Sequence, residues 1–425
     1  MKKIVYVVLD GVGDLPNPSL GKKTPLEFAK TPNLDSLAKK SRMGSVYTVK
    51  KSIAPESDEA VLSILGYDVH EYYTGRGPVE AFGSGLAVGK NDVAIRANFA
   101  TLEETGWNLV DRRVARSLTT PQAKLLEKEI NKKVKLTSVA GSYFRFKATV
   151  AHRCVLVIGN KKHRLSDQIT NTDPAYKRKG YLSLALTKFP MTVLKAKAIK
   201  KGDKAADLAA KLINEFVEKS TAVMRNAAIN SKRKRQKNLP ATVILCRGAG
   251  MLPPALPSFK EKFDMRMGCF VEMPVELGIA KMLSLGVIKV ELDAGNPKKQ
   301  YEAWAKKVLP SLKSNDGLYI HIKGPDIFGH DANARGKAKN VELIDKYFFG
   351  NILKKLDLQQ VVIAVTADHS TPCTIGGHSD DPVPLLITGK SDGLGRFTEK
   401  NAKKGSLGVL QGTKIMPLLK RCSGS

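Results

Sequence analysis

Long apolar runs, paired cysteines and aromatic residues are all scarce in this chain, and each shortage closes off a class of protein. No stretch approaches the roughly 18 to 20 apolar residues that a membrane-spanning helix requires, so no bilayer span is expected. The opening MKKIVYVVLDGVGD sets two lysines before an apolar run. That run is short, ends at Asp10 and lacks a small-residue cleavage site, which favours a buried first strand over a signal peptide. The five cysteines, Cys154, Cys246, Cys269, Cys373 and Cys422, form no CxxC pair and no disulfide-like spacing. They read as the reduced thiols of a cytoplasmic protein. Aromatics make up 6% of the residues, and the two most basic tracts, KAKAIKKGDK (195–204) and SKRKRQK (231–237), contain none. Without rings for bases to stack on, those tracts argue against single-stranded nucleic acid.

Acidic residues are also in the minority. Against 70 Lys and Arg stand 40 Asp and Glu, a net charge of +30. Such an excess suits anionic partners: acidic small molecules, an anionic surface or nucleic acid. RNA or ribonucleoprotein binding is one use open to the basic tracts, though a solvated, generally basic surface accounts for them more simply.

What the chain does have is length, 425 residues, enough for two domains. Lys3–Leu9 is a near-continuous apolar run of the kind buried in a parallel sheet. Thr31-Pro32 starts a helix, and residues 58–65 predict another with Ser57 at or near its N-cap. Strands over 318–322, 361–367 and 384–387, with a helix over 341–355, repeat the alternation near the other end. This pattern predicts an α/β fold, a mostly parallel sheet with its site on one rim. The middle is more basic and reads as an α+β insertion, with an amphipathic helix over 206–227. The expected division is 1–85 with 263–425, and 86–262 inserted. No internal repeat or long low-complexity segment is present, and the tail beyond about residue 389 carries no signal.

Chemistry concentrates at strand ends. Asp326-x-x-x-His330 puts two ligand types on one face of a helical turn. Asp368-His369 ends a strand, His378 follows in TIGGHSDDPVP, and Asp10 ends the first strand. Taken singly, these are also what a surface pair, an ordinary turn and a loop histidine look like. Together they describe a site for two divalent cations, of the kind that clamps both oxygens of an in-line phosphoryl displacement. Ser57, in APESDEAV, is the candidate nucleophile, and equally a plain N-cap.

The stretches LDGVGDLPNPSLGKKTPLEFAKTPNLDSLA, APESDEAVLSILGYD, YYTGRGPVEAFGSGL, LSDQITNTDP, CRGAG, HIKGPDIFGHD and TADHSTPCTIGGHSDDPVPLLI carry a resemblance. In that order they resemble the archaeal-type cofactor-independent phosphoglycerate mutases of the alkaline phosphatase superfamily. The resemblance implies an alkaline-phosphatase-like sheet with helices on both faces and an inserted substrate domain. It implies one metal held by Asp326, His330 and His378, and another by Asp10, Ser57, Asp368 and His369. Mn²⁺ suits that set best, with Mg²⁺, Co²⁺ or Zn²⁺ as alternatives. Ser57 would become a phosphoserine, and Lys323 would stabilise the phosphoryl group in flight. The insert would bind a small phosphorylated substrate through Arg96, Asn98, Arg112, Arg153, Asp173, Asn226, Asn230 and Arg247, and domain closure would exclude water. The implied reaction exchanges 3- and 2-phosphoglycerate. A phosphatase or phosphotransferase for another small phosphate ester would use the same metal ligands. Glu56 and Glu59 flank the nucleophile, where the resemblance leads one to expect a small residue before the serine.

Overall fold

The apolar run at the start is a strand, Lys3–Leu9, and it lies at the middle of an eight-stranded sheet. Its backbone groups are satisfied on both sides and its side chains from Ile4 onward are buried, as the unbroken apolar sequence requires. A computed structural model describes residues 2–253, 256–291, 293 and 295–424. The chain forms two units, Met1–Tyr72 with Ala255–Ser425, and Tyr73–Pro254.

In the first unit the strand order is Gly286–Val287, Met267–Phe270, Gly317–Ile322, Lys3–Leu9, Val361–Thr366, Val383–Thr388, Ser41–Tyr47, Gly408–Gln411. The first five run parallel, and Val383–Thr388 lies antiparallel to both of its neighbours. Register decides where the chemistry falls. Val8 pairs with His321 on one side and with Thr366 on the other. Asp10, Lys323 and Asp368 therefore emerge together at the carboxyl ends of three adjacent parallel strands, the usual place for a site in such sheets.

Two expectations change here. The helix expected over 341–355 starts earlier, as Ala334–Ile344, and passes through a π-helical turn at Asp345–Phe349. That turn presents the buried Asp345 carboxylate to the N–H groups of Asn33 and Leu34, at 3.2 and 2.7 Å. The tail beyond residue 389 is an integral part of the sheet. Gly408–Gln411 pairs parallel with Ser41–Tyr47, and helix Ile415–Ser423 packs on strands Lys3–Leu9 and Val361–Thr366. Its strand is four residues long and mostly exposed, so no alternation announces it.

The second unit is an antiparallel sheet in which Val93–Leu102 pairs with Arg153–Asn160, Val243–Gly250 and the short Leu109–Asp111, while Ser142–Ala148 flanks Arg153–Asn160. Helices Thr120–Lys133 and Lys204–Arg225 cover one face, burying Phe99, Phe146 and Phe216 among aliphatic residues. Helix Arg76–Ser84 covers the other face, with Ala81 against Ala94, Val155 and Val157. Gly77 lets it approach, since a methyl group there would collide with the Ala94 carbonyl. This packing draws residues 73–85 into the second unit, so the division falls earlier than the sequence suggests. At the other boundary Phe263 packs on Tyr67, ring centroids 6.2 Å apart, which puts helix Phe259–Phe263 in the first unit. The second unit holds 35 of the 70 basic residues but only 13 of the 40 acidic ones. The charge excess is thus local rather than spread evenly. Among the described residues, no helix is long and apolar enough to cross a membrane.

A buried ionic cluster fixes the turn after the first strand. Lys337 is fully buried and donates to Asp14 Oδ2 at 2.8 Å, Thr371 O at 2.9 Å and Gly13 O at 3.2 Å. Glu399, from the tail, accepts from Asp14 N at 3.2 Å and Thr24 Oγ1 at 2.7 Å. Burial, aided by the nearby Asp14 charge, pushes the Glu399 carboxyl up to about 7. Because the fold favours the protonated form, this group's stabilising contribution is full below the ordinary carboxyl range and fades as pH rises through 7. Glu399→Gln is therefore expected to flatten stability against pH between about 4.5 and 7, removing a slope worth up to about 3 kcal/mol. Denaturation midpoints of both proteins across that range check it, and parallel curves would refute it.

Candidate active site

Helix Ser57–Ile64 begins with Ser57 at its first turn. Glu56 holds the capping position, so Ser57 is one residue further in than an N-cap, and its hydroxyl is not spent on capping. Ser57 Oγ instead lies 3.3 Å from His369 Nε2. That places a serine oxygen and the positive end of a helix dipole beside the strand-end residues.

Around it the expected ligands converge. His369 Nε2 stands 3.3 Å from Asp10 Oδ1 and 3.4 Å from Asp368 Oδ2. His330 Nε2 and His378 Nε2 stand 3.5 and 3.8 Å from Asp326 Oδ1. Asp326, His330 and His378 form one group with ligand atoms within 4.8 Å of each other, and Asp10, Asp326 and His369 form another. The imidazoles are aimed by their other nitrogens. His378 Nδ1 is 2.8 Å from Pro55 O and His330 Nδ1 is 3.2 Å from Gly376 O. A carbonyl only accepts, so both rings carry a proton on Nδ1, and the nitrogen turned toward Asp326 as the ligand atom is Nε2. Gly11, at φ +59°, makes room for this convergence, since a methyl group there would come within 2.6 Å of Thr371 Oγ1 and 2.7 Å of Asp326 Oδ1.

The residues fit divalent cations on the site's own electrostatics. Asp10 Oδ1 and Asp368 Oδ2 are buried and accept no hydrogen bond, a costly state for an oxygen anion that lacks a cation. Lys323 Nζ lies 2.5 Å from Asp10 Oδ2 and 3.2 Å from Asp326 Oδ2, one ammonium serving two carboxylates. Burial works against both charges, yet Asp10 and Asp326 hold Lys323 well above its ordinary range, and Lys323 and His321 hold Asp10 well below its own. Asp368 is left over. Burial and the Asp10 charge push its carboxyl strongly up. Burial, and then His378, pushes His369 down to about 3, so it is a neutral ligand-type imidazole at neutral pH. The protein alone thus holds Asp368 toward its protonated form and leaves two buried carboxyl oxygens without partners, which is the arrangement that hard or borderline cations relieve by taking the proton's place.

His321 and Thr371 had no signal in the sequence. His321 sits inside the buried strand GLYIHI, its Nε2 3.1 Å from Asp10 Oδ2 and its Nδ1 2.8 Å from Tyr319 OH. Burial disfavours its charge, but the hydrogen bond to Asp10 and the Asp10 charge raise it to about 9.

The second unit has a site of its own. Arg96, Asn98, Arg113, Arg116, His152, Arg153 and Arg247 line a cavity of about 310 Å³. Glu80 balances part of this charge, 3.2 Å from Arg96 and 2.9 Å from Arg76. Arg247 Nη1 bonds Asn98 Oδ1 at 2.6 Å and Asp173 Oδ2 at 2.9 Å. Burial, followed by Arg153 and Arg113, pushes His152 down to about 4, and its buried Nδ1 has no hydrogen-bond partner. Arg113 and Arg116 were not expected from the sequence. They flank a left-handed turn in which Val114, Ala115 and Arg116 have φ of 55°, 48° and 54°. For non-glycine residues this is a strained run, which persists when its surroundings over-determine it. Asp111 Oδ1 does so by accepting from the N–H groups of Arg113 and Ala115 at 2.6 and 2.7 Å.

Other expected substrate residues are engaged elsewhere. Arg112 forms a two-point pair with Asp173 at 2.9 and 2.8 Å, so each serves the other. Asn230 is buried and bonded to the backbone of Met224 and Ala241. Asn226 ends helix Lys204–Arg225 and bonds Ala222 O.

Comparison with known proteins gives a consistent result. Residues 38–230 match the family described as 2,3-bisphosphoglycerate-independent phosphoglycerate mutase. A protein of that name from Aeropyrum pernix is 43% identical over 422 residues, 98% of each chain. Another, from Methanopyrus kandleri, is 36% identical over 99% of this chain and 96% of its own. Among solved structures, a Pyrococcus horikoshii protein is similar at TM-score 0.81 and 32% identity, covering 100% of this chain and 97% of its own. The cofactor-independent phosphoglycerate mutase of Thermoplasma acidophilum is similar at TM-score 0.69 and 30% identity, with both chains covered in full.

Proposed function

Because this chain belongs to the 2,3-bisphosphoglycerate-independent phosphoglycerate mutases, we propose that it interconverts 3- and 2-phosphoglycerate by passing the phosphoryl group through Ser57. An exchange that does without a bisphosphorylated cofactor needs another holder for the group in transit. The observation that carries the assignment is Ser57 Oγ, uncommitted to capping and 3.3 Å from His369 Nε2, inside the cluster with the two orphaned carboxylate oxygens.

Asp326, His330 and His378 would hold one divalent cation, and Asp10, Ser57, Asp368 and His369 the other, with Mn²⁺ the best match for oxygen and imidazole donors. When bound, such cations lower the pKa of the serine hydroxyl and neutralise charge on the phosphoryl oxygens. The chain's own part is positioning and electrostatics. Ser57 Oγ gives up its proton and attacks phosphorus, the bond from phosphorus to the substrate's C3 oxygen breaks, and that oxygen takes up a proton in exchange and leaves as the glycerate hydroxyl. Lys323 supplies a fixed positive charge beside the group in flight. Glycerate then turns so that its C2 hydroxyl attacks the phosphoserine, restoring Ser57 and giving 2-phosphoglycerate. The arginine cavity of the second unit suits the carboxylate of such a substrate, since guanidinium pairs with it in two-point geometry. Arg96, Arg153 and Arg247, with Arg113 and Arg116, are the residues we assign to it. The unpaired cysteines fit a reducing, cytoplasmic setting.

A coupled assay of 3-phosphoglycerate conversion, run on metal-stripped protein with and without restored Mn²⁺, tests the proposal. Turnover is expected only with the metal. Faster hydrolysis of another phosphate ester under the same conditions would replace the mutase with a phosphatase.

A further inference from the structure

Thr371 is fully buried where three ligand-bearing segments meet. Its N–H donates to Gly13 O at 3.0 Å and its carbonyl accepts from Lys337 Nζ at 2.9 Å, so its backbone is held from both sides. Its hydroxyl reaches Asp326 Oδ1 at 2.8 Å and His369 Nδ1 at 3.0 Å. Asp326 is shared by two groups of candidate ligands, with His330 and His378 in one and with Asp10 and His369 in the other. The two-cation assignment gives Asp326 to one ion and His369 to the other.

A threonine hydroxyl has one proton to give, and an ionised carboxylate can only accept. The proton therefore goes to Asp326, and only an oxygen lone pair remains for His369. His369 must then donate from Nδ1–H, which leaves the Nε2 lone pair directed at Asp10, Asp368 and Ser57. His330 and His378 receive the same service from backbone carbonyls, which no side-chain replacement removes. His369 depends on a side chain for it.

We infer that Thr371 is a positioning residue that couples the two cation groups, fixing the tautomer of His369 with the same hydroxyl that orients Asp326. The inference rests on the two-cation reading of the site. Its test begins by titrating full-length, metal-free wild-type protein with Mn²⁺. Failure to bind two ions per chain would defeat the two-cation reading itself, whatever the role of Thr371. Given two ions, Thr371→Val, which keeps the shape and removes the hydroxyl, is expected to lose about 10- to 100-fold in Mn²⁺ affinity. Thr371→Ser, which restores the hydroxyl, is expected to stay within about threefold of wild type, a rescue that a purely structural role for the residue would not predict. A Thr371→Val protein that binds both ions as tightly as wild type overturns the inference. A second readout does not depend on any Thr371 variant folding. In metal-free wild-type protein labelled with ¹⁵N-histidine, the resonance lost in His369→Gln should show the proton on Nδ1. A proton on Nε2 instead would overturn the inference.

Discussion

Replacing Ser57 by alanine is expected to lower 3-phosphoglycerate conversion by about four orders of magnitude or more, the scale on which enzymes lose activity when a covalent nucleophile is removed. The size of the effect comes from the proposed path. If the phosphoryl group has to rest on Oγ between its two positions, the remaining residues can still bind substrate but have nowhere to put it. The helix that carries Ser57 should survive the change, because the hydroxyl makes no capping bond and alanine is a strong helix former. Circular dichroism and the denaturation midpoint should therefore match wild type while turnover disappears. Activity within tenfold of wild type would mean that the phosphate travels without Ser57.

The second large effect concerns stability. Lys337→Met is expected to cost about 3 to 5 kcal/mol, because it strands Asp14 in a fully buried position without its cation. Methionine fills much of the lysine's volume, so the loss is chiefly electrostatic rather than a cavity. It also takes a donor from the carbonyls of Gly13 and Thr371, on which the turn after the first strand and the turn after Asp368 both rely, leaving Gly13 O only the Thr371 N–H. Adding Asp14→Leu to Lys337→Met should recover part of the loss, since the stranded charge is then gone. Denaturant unfolding of the two proteins measures this. A single substitution costing less than about 1 kcal/mol would show that the pair is not what fixes these turns.

The candidate ligand residues that the structure brings together stood out because each sits in a local pattern: a carboxylate at the end of an apolar strand, or an Asp and a His one helical turn apart. Asp10, Asp326, His330, Asp368 and His369 needed only the rule that parallel strands end on one rim. His321 was hidden by the same logic. Inside GLYIHI it reads as one more strand residue, and only the pairing with Lys3–Leu9 brings it to Asp10. Arg113 and Arg116 were hidden because Val-Ala between arginines gives no warning of three consecutive left-handed residues, which local propensity disfavours. Asn226 and Asn230 misled in the opposite direction. Their spacing suits one helical face, but a helix ends between them, and Asn230 turns inward to bond the backbone. The charge excess was plain in the composition and its concentration in the middle of the chain was legible as well, whereas its bounds, Tyr73–Pro254, depended on where the chain divides.

The proposed reaction stands or falls on whether the phosphoryl group rests on Ser57. Mn²⁺-loaded protein is mixed with 3-phosphoglycerate labelled in its phosphate, quenched in acid within a turnover, and the label mapped by mass spectrometry. An acid-stable phosphoserine at Ser57, discharged when glycerate is added, is the expected result. Label on another residue, or rapid conversion with no labelled protein at any time, would contradict it.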